Sequence, residues 1–234
     1  MEIETNEGLI RRNARIGQFT SLAGLLVLGI GMYISFARPE LFGYSVASLL
    51  VGFALSQIGI YFGNRWSRRP RPDELVDQGL KGLDGRYTLY HFITPVAHLL
   101  VGPAGVFSIM PRHQRGTITY DEVKNRWRHK GGNWYLKLFA QEGLGRPDLE
   151  IGGEIDATER YLHKLLPGDR EFPPVQALLV FTHEGTEVDA ENAPTPTLHV
   201  KKLKDFIRKS AKNKPISMDL VNLIQERIEE KELK

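Results

Sequence analysis

Two uncharged apolar segments, only four residues apart, constrain this chain more than anything else in it. Residues 16–36 read IGQFTSLAGLLVLGIGMYISF and residues 41–63 read LFGYSVASLLVGFALSQIGIYFG, without one Asp, Glu, Lys or Arg in either. A helix rises 1.5 Å per residue, so about 20 apolar residues cross the roughly 30 Å hydrocarbon core of a bilayer. The connection, Ala37-Arg38-Pro39-Glu40, allows only antiparallel neighbours, and Pro39 stops the first helix. Ser35-Phe36-Ala37 has the small residues of a signal-peptide cleavage site. The apolar run before it is nevertheless longer than the 7–15 residues typical of that class, and a second long segment follows at once. The expectation is a transmembrane helical hairpin.

The flanks give this hairpin a direction. Arg11, Arg12 and Arg15 precede the first segment, Arg65, Arg68, Arg69 and Arg71 follow the second, and the turn offers Arg38 beside Glu40. Positive residues stay on the cytoplasmic side, so both ends are expected inside and the turn outside. Gly24, Gly29 and Gly31, with Ala47, Ser48, Gly52 and Ala54, are candidates for small packing faces between the helices. Tyr33, Phe36, Phe42 and Tyr44 would mark one interface, and Tyr61, Phe62 and Trp66 the other. Gln57 is the strongly polar residue deep in a span, suited to a bond across the hairpin or to a second copy, or simply tolerated near the span's inner end.

The remainder, about 170 residues, is long enough for one domain with its own core. The net charge of +3 over 234 residues creates no global field for nucleic acid. The lack of cysteine removes disulfides, thiolate nucleophiles and Cys-type zinc sites. The expected plan is a cytoplasmic tail over 1–15, the hairpin over 16–64 (spans 16–36 and 41–63), a basic linker over 65–72 and a cytoplasmic domain over 73–234. The linker, RWSRRPRP, would lie against anionic headgroups.

Beyond the linker, Asp73 is a helix N-cap before ELVDQGLKGL. Short β-like runs follow at Tyr87–Phe92, Ala97–Gly102, Gly105–Met110, Gly116–Thr119 and Trp134–Leu138, with a polar, basic insertion over 121–133. The spacing of Ile151, Ile155, Leu162, Leu165 and Leu166 predicts a helix over 150–166, ended by Pro167-Gly168. Val175–Phe181 reads as a strand buried on both faces. A polar loop over 182–196, a strand over 198–200 and helices over 202–210 and 217–230 complete the chain. The order implies an α/β unit with a mixed sheet flanked by helices.

The stretch VAHLLVGPAGVFSIMPRHQRG, residues 96–116, resembles the nuclease-related domain (NERD) family. Its signature has an I-D-H strand, a turn with G-V-F, and then a strand carrying E-x-K and W-R-G. His98, Gly105-Val106-Phe107 and Arg115-Gly116 match in register, and the helix with Glu74, the strand at Tyr87, Arg146-Pro147 and VQALLVF fall in the same order. The resemblance covers the chain from about Pro72 onward. It implies a restriction-endonuclease-like fold in which an Asp and a Glu on adjacent strands hold Mg²⁺ and a Lys stabilises charge on the phosphate. Here the Asp position reads Ala97, the Glu position Met110 and the Lys position Arg112, so no catalysis and no bound metal are expected. Glu74 and Glu150 are the residual acids of the pattern, Glu150 standing where the family has Gln. Glu122-Val123-Lys124 imitates E-x-K, but the strand roughly a dozen residues earlier offers Ile109 and Met110 rather than an Asp.

A basic cluster of Arg112, His113, Arg115, Lys124, Arg126, Arg128, His129 and Lys130, interleaved with Trp127 and Trp134, suits phosphate contact and base stacking. It equally suits a solvated hairpin tip or a face toward headgroups. No H-x-x-x-H, H-E-x-x-H, G-x-S-x-G or P-loop occurs, and the acids Glu150, Glu154, Asp156 and Glu159 read as a helix favouring negative charge near its start. The sequence thus points to a two-span protein of the cell membrane, both termini cytoplasmic, whose soluble domain binds or scaffolds without a cofactor. Two alternatives stay open: a Mg²⁺-dependent nuclease with relocated ligands, and a nucleic-acid-binding protein that does not cleave. Beyond the bilayer, the candidate partners are nucleic acid, a second copy or another protein.

Overall fold

The computed structural model describes residues 1–132, 143–166 and 172–232. The expected strand at 134–138 with Trp134, and the helix stop at Pro167-Gly168, lie outside them. The chain divides into two compact units. One is Glu7–Arg71, and the other joins Met1–Asn6 to Pro72–Gly132 and the chain from Leu144 onward.

The first unit is a helical hairpin. Helix α1 spans Glu7–Ala37 and α2 spans Phe42–Phe62, joined through a 3-10 turn at Pro39–Leu41 and followed by a wider π-type turn at Gly63–Ser67. Both helices are long and apolar enough to cross a membrane, and only 11% of the most apolar window of each is buried. Gly17, Gly24 and Gly31 are buried on α1, and Ser45, Gly52 and Gly59 on α2. A spacing of seven is two helical turns, so each set forms one stripe. The backbones come close because a Cβ has no room. At Gly24 it would sit 2.7 Å from Ser56 Oγ, and at Gly59 it would sit 2.2 Å from Ser21 Oγ. Ser45 Oγ donates to the Gly31 carbonyl at 2.9 Å. Three of the small residues expected at this seam are elsewhere: Gly29 has nothing within 4 Å of its Cβ direction, and Ala47 and Ala54 are exposed. Gly29 is five residues from Gly24, about 140° around the helix, so small size alone did not place it.

The second unit is a mixed α/β fold. Its main sheet has the order β1-β2-β3-β4-β7-β9, from Glu2–Thr5, Thr88–His91, His98–Gly102, Gly105–Arg112, Val175–Phe181 and Thr197–His199. Strands β2, β3 and β4 form an antiparallel meander, β7 lies parallel to β4 and β9 parallel to β7. A second sheet has β5 (Gly116–Asp121) between β6 (Arg126–Lys130) and β8 (Thr186–Asp189). Helices α3 (Pro72–Leu80) and α5 (Leu203–Asn213) cover one face of the main sheet, where Val76, Leu80, Leu203 and Ile207 meet Leu89, Leu100, Phe107, Ile109, Leu178 and Val180. Helices α4 (Pro147–Leu165) and α6 (Met218–Glu232) cover the other, where Leu162, Leu165, Val221, Ile224 and Ile228 meet Tyr90, Leu99, Val101, Val106 and Val175. Alternation along each strand sorts these two sets.

Three strands depart from the sequence expectation. The stretch expected as a tail over 1–15 begins with β1, whose Glu-Ile-Glu-Thr alternates and pairs in parallel with β2, Glu2 opposite Thr88 and Thr5 opposite His91. The basic insertion contains β6, where Trp127 is buried between exposed Arg126 and Arg128. The polar loop after β7 contains β8, parallel to β5. All three are short and polar and lack an apolar run of their own: β1 and β8 pair with strands distant in sequence, and β6 forms a hairpin with β5 around buried Trp127.

Candidate functional site

The register of β3 against β4 pairs Leu99 with Ser108 and Gly102 with Gly105. The β3–β4 pairing stops at Leu99 and Ser108; Ala97 precedes β3, while Met110 and Arg112 lie on the part of β4 that pairs with β7, opposite Leu179 and Phe181. Alternation turns Ser108, Met110 and Arg112 toward α4. Ser108 Oγ donates to Glu154 Oε2 at 2.7 Å. Met110 is buried with Ile118, Trp127, Ile151, Leu179 and Phe181. Arg112 ion-pairs with Glu150, one turn before Glu154 on α4. Two acids thus flank the strand, one engaged by a hydroxyl and the other by a guanidinium. Glu74 lies on α3, on the opposite face of the sheet, so the structure separates it from Glu150.

This donor set does not fit a hard divalent cation. Such an ion takes several oxygen ligands, whereas the position between the two acids holds the thioether of Met110 in an apolar cluster, and Arg112 already compensates Glu150. Among the described residues, no group of three or more His, Asp or Glu side chains is placed to share a metal ion.

The E-x-K imitation occupies the turn between β5 and β6. Glu122 and Lys124 are exposed there, Glu122 accepts from Asn192 Nδ2 at 2.8 Å, and the Lys124 backbone N–H donates to Asp121 at 3.0 Å. That N–H, with Arg128 behind it, holds the Asp121 carboxyl below its ordinary range. The basic cluster is partly neutralised: Arg112 pairs with Glu150 and Arg128 with Asp121. Arg115, Lys124, Arg126 and Lys130 form no ion pair among the described residues, and His129 Nε2 hydrogen-bonds the Arg115 carbonyl at 2.9 Å.

A second constellation lies on the α3 face. His91 ends β2, His98 begins β3, and the two pair directly across the sheet. Their Nδ1 atoms share a hydrogen bond of 2.7 Å, and His91 Nε2 lies 2.9 Å from Asp77 Oδ1 of α3. Both rings are buried, while the Asp77 side chain keeps 29% exposure. With His91 donating to the carboxylate from Nε2, the neutral ring offers its Nδ1 lone pair to His98 Nδ1–H. Phe92 follows at φ +60°, a left-handed conformation unusual for an aromatic residue, and its ring lies 5.0 Å from that of His98. The Phe92 N–H donates to the Ala97 carbonyl at 2.9 Å, and the Asn6 N–H to the His91 carbonyl at 3.0 Å. This line of Asp77, His91 and His98 was not found from the sequence. The two histidines are seven apart across a loop, a spacing that matches no local helical or metal motif, and Asp77 is joined to them only by folding.

No protein-family model, curated protein or solved structure matches the chain.

Proposed function

We propose that this protein is anchored by its two apolar helices in the cell membrane, with both flanks on the cytoplasmic side. Its soluble unit then acts as a nuclease-related module that binds or scaffolds without cleaving. The observation that carries the reading is the end of β4, where Met110 packs in an apolar cluster and Arg112 is committed to Glu150. The order α3, meander β2-β3-β4, α4 and parallel β7 supports the restriction-endonuclease-like plan. The same-side placement of the flanks draws support from β1. The chain contributes a strand, leaves for the hairpin and returns to pair beside that strand, which two crossings permit and one does not. The seven flanking arginines favour the cytoplasm for that side.

The catalytic half of the reading is tested with the full chain in detergent micelles, incubated with DNA or RNA and Mg²⁺ or Mn²⁺. No cleavage is expected. Cleavage that vanishes on Glu150→Gln or Glu122→Ala would overturn it in favour of relocated ligands. The topological half uses the absence of native cysteine. A cysteine placed at Glu40 should react with an impermeant thiol reagent on intact cells, and one placed at Asp84 should react only after lysis; the reverse pattern inverts the orientation.

A further inference from the structure

We propose that the start of α1 carries a binding site for a phospholipid whose headgroup bears two negative charges. The inference rests on the membrane reading above and deepens it. Gly8, Arg11, Arg12, Arg15, Ile16 and Phe19 line a concavity of about 430 Å³. Their spacing of 3, 4, 7, 8 and 11 from Gly8 puts all six on one face of the helix. Gly8 adds no side chain to this face, and the helix dipole favours negative charge near this end.

The charges specify the occupant. Arg11, Arg12 and Arg15 are paired with no carboxylate among the described residues. The only acid in the first four turns of the helix is Glu7, which leaves an excess of two positive charges. A zwitterionic headgroup supplies no net charge and a monoanionic one leaves a cation uncompensated, whereas a phosphomonoester supplies two charges and enough oxygens for paired guanidinium contacts. The apolar end specifies a lipid rather than a free phosphate. Ile16 and Phe19 open the uncharged run of the helix, and Phe19 is 71% exposed, so an acyl chain continues along them from the bound phosphate. The arginines beyond α2 are arranged differently. Arg65 lies over the Trp66 ring at 5.5 Å, and Arg69 and Arg71 are engaged within the chain. A uniform positive-inside belt predicts no such difference between the two sets.

The test uses the full chain in nanodiscs of phosphatidylcholine doped with either phosphatidic acid or phosphatidylglycerol at equal surface charge, read as lipid adducts by native mass spectrometry. Phosphatidic acid should be enriched over phosphatidylglycerol by about tenfold. R12Q/R15Q should abolish the enrichment and R68Q should leave it. R12K/R15K keeps the charge but loses the guanidinium fork and should lower the preference. Equal binding of both lipids, an equal loss in R68Q, or an undiminished preference in R12K/R15K would each overturn the site. Displacement of the lipid by inorganic phosphate would overturn its assignment to a lipid. Alkaline carbonate extraction of cell membranes is run alongside. A chain released to the soluble fraction refutes the membrane reading itself, whereas a retained chain without lipid preference refutes only the headgroup site.

Discussion

The two units of this protein solve opposite packing problems. The hairpin buries glycine and serine and exposes its large apolar side chains, with Leu25 66% and Leu50 68% exposed, whereas the soluble unit buries Phe107, Phe181 and Leu162 and exposes its charges. Among the described residues, the exposed large apolar side chains outside the hairpin are Ile3, Val123 and Leu149. In water, burial of apolar area drives packing. In a hydrocarbon solvent that force disappears between helices, and close backbone approach through small residues takes its place. The inversion is what the proposed membrane placement of the hairpin predicts.

The sharpest break in this comparison comes from cutting the same residue type in both units. Phe181→Ala removes a fully buried ring from the cluster with Met110 and Leu179, and should cost about 3–5 kcal/mol of stability in denaturant titrations of the micellar full chain. Phe53→Ala, on the exposed side of α2, should leave the soluble unit's transition and the pairing of α1 with α2 unchanged. A large loss from Phe53→Ala would show that this face packs on protein rather than lipid.

Next in size is the converse experiment at small residues. Gly59→Ala forces a Cβ to within 2.2 Å of Ser21 Oγ, and overpacking of this kind costs about 1–3 kcal/mol. Gly29→Ala meets nothing within 4 Å and should be neutral or slightly favourable, since alanine is the better helix former. Distances between spin labels on Leu22 and Ile58 would report separation of the helices in the first variant only. Equal behaviour of the two glycines would remove the seam.

What was legible in the sequence follows the same division. The two long apolar helices, the meander, α4 and β7 were readable because each carries its own apolar signal: an uncharged run, strand-like stretches beside Gly-Pro-Ala-Gly, a helical stripe, or VQALLVF. Strands β1, β6 and β8 were not: Glu-Ile-Glu-Thr and Thr-Glu-Val-Asp become strands only beside partners far along the chain, and Arg-Trp-Arg-His-Lys, though its partner β5 is next to it, is too basic to carry an apolar strand signal. Of the positions the resemblance singles out, Met110 and Arg112 lie on β4 where it pairs with β7, and Ala97 precedes β3. The partners of Arg112 and Ser108 on α4 required the fold, and so did the joining of Asp77, His91 and His98, since local spacing says nothing about which helix will lie over a strand end.

Buried polar groups extend the comparison. In the hairpin, Ser45 satisfies a neighbouring helix carbonyl, while in the soluble unit the His91–His98 pair depends on Asp77. Asp77→Asn keeps the shape but removes the charge behind His91, and His98→Gln withdraws the partner of a buried ring nitrogen. Each should destabilise the soluble unit by about 1–2 kcal/mol, read by hydrogen exchange at Thr88–His91, and neither should alter the pairing of α1 with α2. Loss of exchange protection in the hairpin as well would mean that the two units do not respond separately.

The smallest contrast concerns exposed charge. Arg11, Arg12 and Arg15 of the hairpin have no carboxylate partner among the described residues, whereas exposed Asp84 of the soluble unit is gripped by Arg86, whose Nη2 donates to Oδ2 at 2.7 Å. That hydrogen bond from the Arg86 side chain holds the Asp84 carboxyl below its ordinary value near 3.8. A group whose folded value is depressed stabilises the fold above the unfolded value and loses that contribution as pH falls through the folded one, here from about pH 5 downward. The effect is screened, since the Asp84 side chain is 51% exposed, and raised salt should shrink it further. Acid titration of stability should therefore be slightly shallower in Asp84→Asn than in the parent protein. The lipid preference assigned to the arginines of α1 should be unchanged in the same variant, because Asp84 is not among the residues that line that concavity.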